Sequence, residues 1–84
     1  MTTHDLKVHV QFFDPLERGI KNFELRRDDR AYRVGDILHL REYNPAFGYT
    51  GSSCKRVVTY ILRNEDLPNG CPQGWCVMAL GMIA

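Results

Sequence analysis

Long apolar runs, cysteine pairs and an excess of one charge sign are all missing from this chain, and each absence narrows what it can be. No stretch approaches the roughly 20 apolar residues that a membrane helix needs. The opening MTTHDLKVHV lacks the apolar centre and small-residue cleavage site of a secretory signal. Only three cysteines occur (Cys54, Cys71 and Cys76), an odd number without C-x-x-C spacing. That excludes a fully paired disulfide framework and fits a reduced, cytosolic protein with unlinked thiols. His4, His9 and His39 are scattered, so with those cysteines they form no zinc-ligand pattern. There is no G-x-S-x-G elbow for a serine nucleophile, and Ser52 and Ser53 fall in a loop-like stretch. Phosphate-cradling glycine loops are absent too, because GYTG at 48–51 has neither the lysine nor the following helix such loops use.

What is present describes one ordinary globular domain spanning residues 1–84, with 44% hydrophobic and 25% charged residues. A domain this small buries only about 60–65% of its unfolded surface, so each large apolar residue matters. Formal net charge is +1, which by itself argues for neither nucleic acid nor membrane. Its distribution is uneven. All eleven Lys and Arg lie at or before Arg63, against eight acids, and only Glu65 and Asp66 follow. The first three quarters can therefore carry a basic patch.

Periodicity supplies the elements. LKVHV reads as a first strand, and QFFDPLERG as a short helix with Phe12, Phe13 and Leu16 at helical spacing and Gly19 as its stop. Pro15 is tolerable in that helix only in its first turn. KNFELRR alternates, with Phe23 and Leu25 on one face and Asn22, Glu24 and Arg26 on the other. A Gly-Asp turn at 35–36 precedes a strand from Ile37 to about Tyr43. NPAFGYTGSS reads as a hairpin loop, KRVVTYILR as the clearest strand, and WCVMALGMI as a final apolar strand. About five strands and one short helix predict a mainly β, α+β fold. The expected form is a small curled barrel, mostly antiparallel, with the helix closing one end.

The chemistry concentrates in GIKNFELRRDDR at 19–30. Glu24 and Arg26 share a face, Lys21 can lean toward them, and a neighbouring strand can bring up Glu42 or Tyr60. A lysine beside a carboxylate can move a proton or hold an anion; an exposed salt-bridge ladder is the plainer alternative. RDDR suits a bend fixed by Asx-type bonds and local ion pairs. Tyr43, Phe47 and Tyr49 surround the predicted loop and would suit base stacking, while Phe12, Phe13, Phe23 and Trp75 suit core packing.

These residues resemble the small bacterial and phage members of the ASCH superfamily. The pattern is Gly-x-Lys-x-x-Glu-x-Arg, then Asp-Arg, Gly-Asp and a strand ending in Arg-Glu-Tyr. Gly19, Lys21, Glu24, Arg26, Asp29, Arg30, Gly35, Asp36, Leu38 and Glu42 carry the likeness, which spans roughly residues 4–81. The resemblance implies a PUA-like β-barrel with a cleft for RNA or a nucleoside- or nucleotide-derived ligand, lined by the Lys21 segment beside the helix. Taken with the strand and loop readings above, the candidate binding set is Lys21, Glu24, Arg26, Arg30, Glu42, Tyr43 and Tyr60. Some relatives cleave single-stranded RNA with a divalent metal, and one branch resembles N4-acetylcytidine amidohydrolases that use a lysine, a threonine and a glutamate. Lys21 matches the lysine, but Glu24 stands at the threonine position and only Glu65 lies in a suitable loop. Ile20 replaces a residue that is often basic, and Pro15 interrupts a usually unbroken helix.

Three function classes stay open: a nucleic-acid-binding module, an enzyme using Lys21 and Glu24, or an interaction scaffold. No cofactor, no resident metal and no membrane partner are expected.

Overall fold

Alternation in the first strand sets which side of the sheet is inside. The computed structural model describes residues 1–83. Strand β1 (Thr3–His9) buries His4, Leu6 and Val8 and exposes Thr3, Asp5, Lys7 and His9, the signature of a strand with one wet face. It passes directly into α1 (Val10–Glu17), which buries Phe13 and Leu16. Pro15 is the sixth residue of this helix, not in the first turn where the sequence reading confined it. The lost N–H costs one backbone bond. Burial of Phe13 and Leu16 offsets it, and buried Arg56 caps the C-terminal end, donating to Leu16 O (3.3 Å) and Glu17 O (2.9 Å). Gly19 then takes φ of +78°, and both Ile20 N and Lys21 N bond to Pro15 O at 2.9 Å. A side chain there would be strained, because the left-handed region penalises a Cβ. That turn delivers Lys21 to the next strand.

Strands β2 (Phe23–Arg27), β3 (Ile37–Asn44), β4 (Gly48–Arg63) and β5 (Trp75–Gly81) complete a single sheet in the order β1-β3-β4-β5-β2. The β1–β3 pair is parallel and the rest are antiparallel. The result is a five-stranded half-barrel with one short helix. The predicted loop NPAFGYTGSS is mostly strand. Only a tight turn between Asn44 and Gly48 remains, held by Ala46 N donating to Asn44 Oδ1 (2.8 Å), and the ladder resumes at Asn44–Gly48, followed by Tyr43–Tyr49. Ser52 and Ser53 therefore sit on β4.

Leu6, Val8, Leu38, Leu40, Val58, Ile61, Cys76 and Met78 face Phe13 and Leu16 across the inside of the curve. β2 breaks the pattern. Its sequence alternation suggests Phe23 and Leu25 as the core face, yet both are about half exposed while Glu24 is only 4% exposed. The register explains it: Glu24 lies opposite Met78 and Arg26 opposite Cys76, both inward positions of β5. The other four strands line the interior mainly with apolar side chains, joined by buried His4 and Arg56, whereas β2 lines it with Glu24 and Arg26.

Asp36, buried at the head of β3, knots the other end. Its carboxylate accepts from His4 Nε2 (2.8 Å), Arg33 N (3.0 Å) and Thr2 N (3.2 Å). Burial raises the carboxyl, but the bonds from His4, Arg33 and Thr2 together outweigh it and hold Asp36 below its ordinary value of 3.8. A folded value below the unfolded one stabilises fully above that pH and is lost as pH falls through the folded value. Asp36→Asn should therefore cost about 1–3 kcal/mol in urea unfolding at pH 7, with the gap to the parent narrowing below about pH 4. Equal stability of the two proteins at pH 7 would contradict this role.

Candidate functional site

Edge strands β1 and β2 face each other across the open side of the half-barrel, and no ladder joins them. Arginine side chains do. Arg26 Nη2 donates to Lys7 O at 2.7 Å, and Arg30 Nη1 donates to Asp5 O at 2.8 Å. Buried Glu24 holds the first of these in place: its Oε2 accepts from Arg26 Nε at 2.8 Å, and its Oε1 from Lys21 Nζ at 2.5 Å. Lys21 Nζ also donates to Phe23 O at 2.9 Å. One carboxylate with two partly exposed cations leaves a formal +1 at the seam.

Above this ion triad lies a cleft of about 450 Å³ lined by Lys7, Val8, His9, Phe12, Lys21, Phe23, Glu24, Leu25 and Arg26. Phe12, Phe23 and Leu25 are each about half exposed, so the walls are apolar and the floor is charged. Phe12 and Phe23 thus belong to the cleft rather than to the core, where only Phe13 of the helix and strand phenylalanines is fully packed.

The family model described as a domain of unknown function, DUF3850, matches residues 3–80. The chain belongs to that family. It is also 42% identical over 63 residues to an uncharacterized 12.9 kDa protein in the GpA 3′ region of Escherichia phage P2. The match covers 75% of this chain and 57% of that curated relative, so the chain spans little more than half the relative's length.

In this DUF3850 chain, the structure brings together Lys21, Glu24 and Arg26 as the strand alternation implies, and places Arg30 beside them on the same seam. Glu42 and Tyr60 are elsewhere. The ladder partner of β2 is β5, so neither β3 nor β4 lies beside it. Glu42 instead accepts from Thr50 Oγ1 at 2.7 Å, and exposed Tyr60 lines a separate hollow with Ala31, Tyr32 and Arg63. RDDR is not a purely local bend either: Asp28 pairs with Arg63 of β4 at 2.7 Å. Lys7, His9 and Phe12 are cleft residues that sequence reasoning missed. Alternation puts Lys7 and His9 on one face, but only the topology shows that β1 borders β2.

Other chemistries find less support. Among the described residues no cluster of three or more His, Cys, Asp or Glu is placed to hold a metal ion. All three cysteines are free, and burial, reinforced by Asp28, pushes the Cys76 thiol up to about 11, far from a reactive thiolate. Asp5, His39 and Ser53 do form a chain: His39 Nδ1 donates to Asp5 Oδ1 at 2.9 Å, and Ser53 Oγ donates to His39 Nε2 at 3.1 Å. It lies on the outer face of the sheet and lines none of the hollows described above.

Glu24 is therefore the key to the site's integrity. Glu24→Gln should destabilise the fold by about 2–4 kcal/mol in urea unfolding, because two cations lose their shared partner. A further Arg26→Met change on that background should cost much less than Arg26→Met alone. Strict additivity of the two changes would show that the triad is not a unit.

Proposed function

We propose that the seam cleft binds RNA or a nucleotide-derived ligand, and that the chain is a PUA-like domain of the ASCH type acting as a binding module. One observation carries this reading: a net-positive ion triad forms the floor of a cleft whose walls are half-exposed aromatic and aliphatic side chains. A nucleotide offers the matching pair of chemistries, a flat apolar base and an anionic phosphate. The cleft volume of about 450 Å³ falls within the roughly 300–1,000 Å³ range of small-ligand sites.

Donor capacity remains for a ligand. An ammonium has three N–H bonds and a guanidinium five. Lys21 directs two to Phe23 O and Glu24, and Arg26 directs two to Glu24 and Lys7 O. Turnover fits the geometry less well. Both oxygens of Glu24 are already held by cations, so it is poorly placed as a free base, and it occupies the position where the resembled amidohydrolases carry threonine.

Fluorescence anisotropy with a labelled single-stranded RNA tests the reading. Three basic contacts (Lys7, Lys21 and Arg26) predict a slope of about −2 in a log–log plot of affinity against salt, at about −0.7 per contact. Lys21→Arg should retain most of the affinity, while Lys21→Ala should lose at least about tenfold, the loss expected for a charge-assisted hydrogen bond. Salt-independent binding, or unchanged affinity in Lys21→Ala, would contradict the proposal. Hydrolysis of N4-acetylcytidine by the parent, abolished in Lys21→Arg, would replace it with an enzyme.

A further inference from the structure

The outer face of β1, β3 and β4 carries a second concentration of charge and aromatic surface that the cleft does not account for. Ladder register aligns it in rows: Lys7 beside Arg41 beside Ser53, and His9 beside Tyr43 beside Tyr49, with His39 beside Lys55 in the row before. Tyr43 and Tyr49 pack edge to face with centroids 5.2 Å apart. Lys7 Nζ sits 4.1 Å above the Tyr43 ring, and the Arg41 guanidinium 3.9 Å above Tyr49. Beyond them the turn presents Phe47, 89% exposed.

Charge on this face is mainly positive: Lys7, Arg41 and Lys55 stand against Asp5 alone on these three strands. Among the described residues no carboxylate lies within ion-pair distance of Lys7, Arg41 or Lys55, and Asp5 is engaged by His39. Cations held over tyrosine rings are already ordered, so binding an anionic chain costs little further side-chain entropy. Sheet faces that interleave aromatic rings with Lys and Arg suit single-stranded nucleic acid, whose bases stack on rings while its phosphates meet the cations. A folded acidic protein would match the charge but has no use for the paired rings and bare Phe47.

We infer that this face is a stacking track for single-stranded nucleic acid, continuous with the seam cleft through Lys7 and His9, which belong to both. One nucleotide occupies the cleft, and its neighbours run across the Tyr43–Tyr49 row and back over Arg41 toward Lys55 on β4. The track extends the cleft reading and rests on it for its starting point, yet its own contribution is separately measurable.

The experiment compares uridine monophosphate with an oligouridine of about nine residues, by competition anisotropy on the full chain. Nine equivalent registers alone would tighten binding about ninefold, so the track requires a gain well beyond that, of about 100-fold or more given the energies of base stacking. Tyr49→Ala and the surface change Lys55→Glu should each remove about tenfold or more of that gain, while leaving mononucleotide affinity as in the parent. Tyr49→Phe should keep the gain, since stacking uses the ring, and circular dichroism melts should show the variants folded. A gain no larger than the statistical one, or one untouched by both Tyr49→Ala and Lys55→Glu, overturns the track while leaving the cleft reading in place. Oligomer binding that depends on Tyr49, with no mononucleotide binding, supports the track and overturns the cleft. No binding of either probe at low salt overturns both.

Discussion

The guanidinium of Arg26 joins the two edges of the sheet, and much else follows from it. β1 and β2 are unpaired along their facing edges, a condition that invites pairing with another chain unless something occupies the exposed backbone groups. Arg26 occupies Lys7 O, and Arg30 occupies Asp5 O. A long cation can do this reliably only if it is held, and Glu24 holds Arg26 from the inside of the strand. A buried carboxylate in turn needs compensating charge on both oxygens, which Lys21 completes. Closure of the half-barrel and assembly of the ion triad are one event.

The same arrangement creates the opening. A ladder between β1 and β2 would seal the seam with backbone bonds and leave no space for a ligand. Side chains bridge it at two points and leave a hollow above them, so the cations that satisfy the edge also face the cleft. β2 has to present Glu24 and Arg26 inward to do this, which turns Phe23 and Leu25 toward water and the cleft wall. An inverted amphipathic strand costs apolar burial, and natural sequences tolerate such local conflicts mainly where a site requires them. At the far end of the sheet, the Asp36 knot secures β1 to the start of β3 and so fixes the strand that the arginines must reach.

Much of this was legible in the chain itself. Five strands, a short helix stopped at Gly19, the Gly35–Asp36 turn and the shared face of Glu24 and Arg26 all follow from local periodicity and turn chemistry. Local pattern identifies the two faces of a strand but not which one turns inward; that depends on the partner, and Met78 and Cys76 lie some fifty residues away in the chain. The same limit hid Lys7 and His9, and it misplaced Glu42 and Tyr60, because strand order is a property of the whole sheet. β4 was underestimated for a different reason. Its first half, GYTGSS, is written in residues that favour turns, and pairing with β3 through the Tyr43–Tyr49 contact overrides that preference. Pro15 was misjudged similarly, since tertiary capping by Arg56 compensates a helix that its own sequence weakens.

The most direct measurement of the central claim, that the side-chain-bridged seam is itself the binding site, is a backbone amide NMR titration of the full chain with a short single-stranded RNA. The account predicts shift changes at Lys7, His9, Phe12 and the Lys21–Arg26 segment, continuing onto Tyr43 and Tyr49, with the Tyr60 and Val34 surface silent. Changes confined to that separate surface, or none at concentrations where anisotropy reports binding, would contradict it.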